Sequence, residues 1–131
     1  MKSGTIESWL SGPPFTTVEA FSMKFSLLVQ DRVLIIRLYG HFHHRTAEKL
    51  MKLLKRRRMH GYAQITFDLT HVSSIDGAGL GLLFLVAHKL RQLGGETYAL
   101  NPKPCVRDQM QRVDLSSMLK IFPDSQSRSA A

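Results

Sequence analysis

With 131 residues, 44% of them apolar and 21% charged, the chain has the length and composition of one globular domain with a single core; wholesale disorder and a second core are both excluded. Its only cysteine, Cys105, rules out an internal disulfide and any metal site built on several thiolates, and a reducing cytoplasm is the expected location. The 18 Lys and Arg against 10 Asp and Glu leave a formal charge of +8, which favours anionic partners without choosing among an acidic protein, nucleic acid and anionic lipid.

Residues 1–23 mix Gly, Ser, Pro and Thr with scattered apolar residues and read as a flexible arm, from which Trp9 and Phe15 could dock on the domain. No signal peptide, lipidation motif or membrane span is expected. The longest apolar run, Leu80 to Ala87, falls far short of the roughly 20 residues that cross a bilayer. The domain itself is expected over residues 24–123, followed by a polar tail over 124–131.

Two β-branched, apolar runs, Phe25 to Val29 and Val33 to Tyr39, flank Gln30-Asp31-Arg32 and predict a hairpin. Ala47, Leu50, Met51 and Leu54 then recur at helical spacing. Gln64 to Leu69 reads as a strand. Gly79 to Leu93 reads as a helix, so apolar in its first half that deep burial is expected there. Gly94-Gly95 stops it, glycine being the residue that takes the left-handed conformation at least cost. Thr97 to Leu100 is a further strand. Pro104 opens a last helix, with Val106, Met110 and Val113 expected to face inward. The order β-β-α-β-α-β-α predicts an α/β domain whose later strands are parallel, since helices cross over between them.

The most informative window is Phe67 to Pro102, FDLTHVSSIDGAGLGLLFLVAHKLRQLGGETYALNP. It holds a strand ending in Asp-Leu, the turn Ile75-Asp76-Gly77-Ala78-Gly79-Leu80-Gly81, an apolar helix, and Gly-Gly before a strand. A helix starting near Gly77 leaves backbone N–H groups unpaired at its positive end. Asp76 can cap it, and the small Gly77, Ala78 and Gly79 would let a phosphate or carboxylate approach closely. Equally, small residues could serve only a tight strand-to-helix turn, with Asp76 a structural cap.

These spaced elements resemble the STAS domains, named for sulfate transporters and anti-sigma factor antagonists. Gly40 to Leu50, GHFHHRTAEKL, is similar to that family's Gly-Glu-Leu-Asp segment and following helix. Asn101-Pro102 and the segment from Val106 to Phe122 are similar to its last helix and closing strand, so the resemblance covers about Phe25 to Phe122. It implies a mixed sheet of four or five strands packed against helices. It also implies a non-catalytic module that binds a protein partner, an anti-sigma factor or serine-kinase-type ATPase domain, and needs no cofactor or metal. The partner-binding residues it implies are Asp76, Gly77, Ala78, Gly79, Leu80, His43 and Arg45. Other STAS domains imply a different reading: a subunit of a transport or lipid-trafficking assembly, or a domain that binds an anion or nucleotide.

The chain departs from the family pattern in two places. In switching members, a kinase phosphorylates the serine directly after the aspartate; here that position is Gly77 and the next is Ala78, and neither carries a hydroxyl. Phosphorylation at the usual site is therefore chemically impossible. Ser73 and Ser74 lie off the motif register; a replacement acceptor is the lesser reading of them, and the first is that they satisfy the turn by local hydrogen bonds. The second departure is His41 and His43, which stand where the family carries acids and turn the local charge neutral or, in mild acid, positive. The rings of His41, His43 and His44 are expected to lie in a solvated loop without converging on a metal.

Arg45, Lys49, Lys52 and Arg56 form one stripe on the first helix, thickened at its end by Lys55, Arg57 and Arg58. A solvated face is the first reading and a surface for an acidic protein the second. Nucleic acid is disfavoured because no aromatic platform accompanies the cations. Cys105 at a helix start has no histidine placed to act as its base, so catalysis is not expected.

Overall fold

The computed structural model describes residues 17–21, 24–57 and 59–123. Trp9, Phe15, Arg58 and the tail over 124–131 lie outside the described residues. The elements in chain order are β1 (Thr17–Phe21), β2 (Phe25–Gln30), β3 (Val33–Phe42), α1 (His44–Arg56), β4 (Gln64–Ile75), α2 (Gly77–Gln92), β5 (Glu96–Leu100), α3 (Pro104–Arg112) and β6 (Lys120–Phe122). Short 3-10 turns at Met59–Gly61 and Leu115–Ser117 complete the path.

The strands lie side by side in chain order, β1 to β6. The β1–β2 and β2–β3 pairs are antiparallel, and the three pairs from β3 to β6 are parallel. The sheet is thus mixed, as expected, and has six strands, because Thr17–Phe21, inside the stretch read as an arm, pairs along β2. The predicted hairpin closes with Gln30 opposite Val33, leaving Asp31 and Arg32 as the turn; Asp31 takes the left-handed conformation that aspartate tolerates better than most residues.

All three helices share one hydrophobic cluster with Leu27, Leu34, Ile36, Ile65 and Phe67 of the sheet, and therefore cover one sheet face. Period-2 alternation explains the strand side of this core, since residues two apart share a face. On the other face Ile35 and Val33 form a small cluster with Leu28. In α1 the inward residues are Ala47, Leu50 and Leu54, as the spacing predicts, while Met51 sits at the rim.

Two expectations about burial are corrected. The first half of α2 is not buried all round: Leu82, Leu83 and Val86 face the core, but Phe84 is 48% exposed and Leu85 38%. The reason is topological, because the sheet and α1 meet this helix on one side and leave Phe84 and Leu85 on the other. Val113, expected inward, is 55% exposed; α3 ends at Arg112, so Val113 caps it and turns outward while Val106 and Met110 are fully buried. Gly94, at φ +88, ends α2 in the left-handed conformation as predicted.

The β3–β4 ladder sets up the end of the molecule where α1 and α2 begin. Pairing runs from Val33 opposite Gln64 to Phe42 opposite Ile75, with bulges that let the 12-residue β4 keep step with the 10-residue β3. Both strands therefore finish at the same level, and α1 and α2 start side by side.

The contrast between the two faces of α2 is measurable. Leu83→Ala is expected to cost about 2–5 kcal/mol, the usual range for a truncated core leucine. Phe84→Ser, one residue further on, should change stability by about 0.5 kcal/mol or less. Urea unfolding midpoints of the two variants check this, and equal losses would contradict the one-sided burial.

Candidate functional site

At the ends of β3 and β4 one carboxylate serves two helices. Asp76 is the extended N-cap of α2, and its Oδ1 accepts the Gly79 N–H at 2.9 Å. Its Oδ2 accepts the N–H of His44, the first residue of α1, at 3.1 Å. His43, the N-cap of α1, makes no capping bond with its own side chain, so the aspartate of the neighbouring helix does that work. Further backbone bonds, Asp76 N–H to the Phe42 carbonyl at 3.4 Å and Leu80 N–H to the Asp76 carbonyl at 2.9 Å, lock the corner.

This environment acts on the Asp76 carboxyl in both directions. Partial burial pushes its pKa up, but the N–H groups of Gly79 and His44, the charge of His43 and the N–H of Ala78 outweigh that, and the net value lies below the ordinary one. The N–H groups at the start of α2 thus already face an anion built into the chain. A phosphate or nucleotide would have to approach against that charge.

The small residues of the turn separate into two kinds. A Cβ on Gly79 would lie 2.5 Å from the Phe42 carbonyl oxygen and 2.8 Å from Ile75 Cγ1, so glycine is required for the close approach of α2 to the strand ends. A Cβ on Gly77 would meet nothing within 4 Å. Gly77 and Ala78 are exposed, whereas Gly79 is buried and Leu80 half-buried. Of the residues singled out from sequence, Asp76, Gly77, Ala78 and His43 come together at the surface, with Arg45 exposed on the first turn of α1. Gly79 and Leu80 support that surface from below.

The histidines depart from expectation. The register sets His41 opposite Ser74, and His43, two residues on, points to the same side. His41 Nδ1 lies 2.7 Å and His43 Nε2 2.9 Å from Ser74 Oγ, and the two rings are 5.3 Å apart. One hydroxyl has one proton, so Ser74 donates to one imidazole and accepts from the N–H of the other. Ser73 Oγ also approaches His41 Nδ1, at 3.3 Å. The His41 and His43 rings, exposed as expected, therefore converge on Ser74, and Ser74 is held by residues more than 30 positions away rather than by local bonds. Alternation of His41 and His43 along a strand was the available signal; which strand lay beside it was not. Among the described residues no group of three or more His, Cys, Asp or Glu is placed to hold a metal ion.

Cys105 is exposed at the start of α3, and its thiol donates to the Ser73 carbonyl at 3.5 Å. The stripe Arg45, Lys49, Lys52 and Arg56 is exposed along α1, as read from sequence.

A mixed sheet with all helices on one face, and a corner where an aspartate caps two helices, define the class of α/β domain. Residues 24–128 match the STAS domain family, and the chain belongs to it. It is 36% identical over 109 residues to BtrV of Bordetella bronchiseptica, named as an anti-sigma factor antagonist, covering 83% of this chain and 91% of that one. It is 30% identical over 91 residues to an anti-sigma F factor antagonist of Lysinibacillus sphaericus, covering 68% and 78%. The fold is similar to that of the anti-sigma factor antagonist SpoIIAA in its unphosphorylated form, with a TM-score of 0.66 at 24% identity over 81% of this chain and 94% of that one. The chain is thus an anti-sigma factor antagonist-like STAS protein. No helix among the described residues is long and apolar enough to cross a membrane.

Asp76→Ala removes two caps and is expected to cost about 1–2 kcal/mol near neutral pH. Because the folded-state pKa is lowered, the unfolded chain binds the proton more tightly, so this stabilisation is complete above the ordinary carboxylate range and is lost as pH falls through the lowered value. Urea midpoints of wild type and variant should therefore converge in acid. A gap that stays constant to the lowest pH would contradict the assignment.

Proposed function

We propose that this chain is a non-catalytic regulatory module of the cytoplasm that binds an anti-sigma factor or serine-kinase-type ATPase domain. Contact is made through Gly77 and Ala78, held in place by Asp76, Gly79 and Leu80 and flanked by His43 and Arg45. It works by competition: occupying the partner frees whatever that partner sequesters. The relatives support this reading by their names as anti-sigma factor antagonists.

One observation carries it. Gly77 is exposed, has open space where a Cβ would stand, and sits at the helix start where the family places its phosphoacceptor serine. Packing does not demand glycine here, as it does at Gly79. Loss of the hydroxyl therefore changes surface chemistry and leaves the fold alone. Phosphorylation would add about −1.5 to −2 charges beside Asp76, and a chain without the acceptor stays in its unmodified, binding-competent form. Catalysis has no support at this corner, since the Asp76 carboxylate is committed to backbone N–H groups and Cys105 faces a backbone carbonyl.

Affinity purification from the native cytosol is expected to recover an ATPase-type anti-sigma factor, and membrane transporter subunits in its place would overturn the proposal. With that partner in hand, Gly77→Asp is expected to abolish binding in calorimetry, because it adds negative charge to the contact without a steric clash inside the domain. Unchanged affinity would remove Gly77 from the interface. Incubated with ATP and a kinase-type partner, Gly77→Ser is expected to take up phosphate while the wild-type chain takes up none. Equal uptake by the wild type would place an acceptor elsewhere and end the unswitched reading.

A further inference from the structure

A second surface lies at the opposite end of the helices, about 18 Å along α1 from the Asp76 corner at 1.5 Å per residue. There the C-terminal halves of α1 and α2 enclose an open groove of about 570 Å³. Its floor is Met51, Leu54, Met59, Leu85, Val86 and Leu93, and its rim is Lys55, Arg56, Arg57 and Lys89. The exposed large apolar residues among those described are Phe84, Leu85, Leu93 and Val113, and two of the four, Leu85 and Leu93, line this groove.

The charge here exceeds what the helices need. Two helix C-termini carry together about one negative charge from their dipoles. Four cations surround them, and Glu48, nearer the corner, is the only carboxylate on either helix. Lys55, Arg56 and Lys89 make no ion pair among the described residues. Arg57 is held in place by Tyr62, whose hydroxyl accepts from Arg57 Nε at 2.9 Å and from a terminal guanidinium nitrogen at 2.7 Å. A greasy floor with Lys55, Arg56 and Lys89 above it asks for an occupant that is apolar on one side and acidic on the other.

We propose that this groove docks an acidic amphipathic helix of a protein partner. Apolar side chains at i, i+3, i+4 and i+7 enter between α1 and α2, the adaptable Met51 and Met59 seating them, while carboxylates meet Lys55, Arg56 and Lys89. Nucleic acid does not suit the groove, because its lining has no aromatic platform and its floor is aliphatic. The flat surface of a bilayer leaves a concave floor unfilled. The site is independent of the Gly77 contact.

The test uses the full chain and a synthetic peptide of about 16 residues, long enough for marginal helicity, with Leu at that spacing and Glu elsewhere. Fluorescence anisotropy should show binding that weakens with salt, and amide NMR shifts should cluster at Met51, Met59, Leu85 and Leu93. Lys55→Glu with Lys89→Glu is expected to weaken binding at least about tenfold, equivalent to about 1.4 kcal/mol, and Leu85→Ser to weaken it comparably. Gly77→Asp should leave it unchanged, so failure here is distinct from failure of the corner. Undiminished binding by both groove variants would overturn the proposal. So would shifts confined to Arg45, Lys49 and Lys52, or co-sedimentation with phosphatidylserine vesicles in preference to the peptide.

Discussion

The end of this domain where α1 and α2 begin depends on one carboxylate that closes two helix starts at once. Asp76 accepts an N–H from its own helix α2 and another from α1, so separating the two helices would leave its Oδ2 and the His44 N–H without each other. Such a bridge forms only if both helices begin at the same level. The parallel β3–β4 ladder supplies that condition, its bulges bringing Phe42 and Ile75 into register at the sheet end. The neighbours of Asp76 inherit their positions from it: His43 directly precedes the bonded His44, and Gly77 directly follows the cap.

Packing divides the turn into residues the fold requires and residues it leaves open. Gly79 belongs to the first kind, since any side chain there collides with the Phe42 carbonyl. Gly77 belongs to the second. A functional reading is strongest where the structure makes no demand of its own, which is why Gly77 carries the argument and Gly79 does not. The histidine pair adds a polar cluster beside the turn, in which Ser74 is held across the sheet by His41 and His43.

The helix pair presents two chemically different ends. At the Asp76 corner the surface is small, polar and neutralised by its own carboxylate. At the far end the helices flank a groove of aliphatic residues with cations above them. Much of the formal charge of +8 is thus organised rather than spread evenly, with α1 alone carrying Arg45, Lys49, Lys52, Lys55 and Arg56 against Glu48. Those charges are exposed and would be screened beyond about 8 Å at physiological salt, so they act on a partner already at close range.

The element order, the hairpin, the stop at Gly94 and the inward faces of α1 and α3 up to Met110 were legible in the sequence, because they follow from local period and backbone preference. The resemblance to STAS domains was legible as well, being carried by a set of motifs spaced along the sequence from about Phe25 to Phe122, with the turn around Asp76 among them. The convergence of His41 and His43 on Ser74 was not, because it depends on which residue of β4 lies beside His41, and bulges set that register. Nor was the exposure of Phe84 and Leu85, since an apolar helix declares that it can be buried and not how many of its faces find a neighbour. Asp76 shows the division within one residue. As the cap of its own helix it could be read from the residues that follow it; as the cap of α1, more than 30 residues away, it exists only because two parallel strands end together.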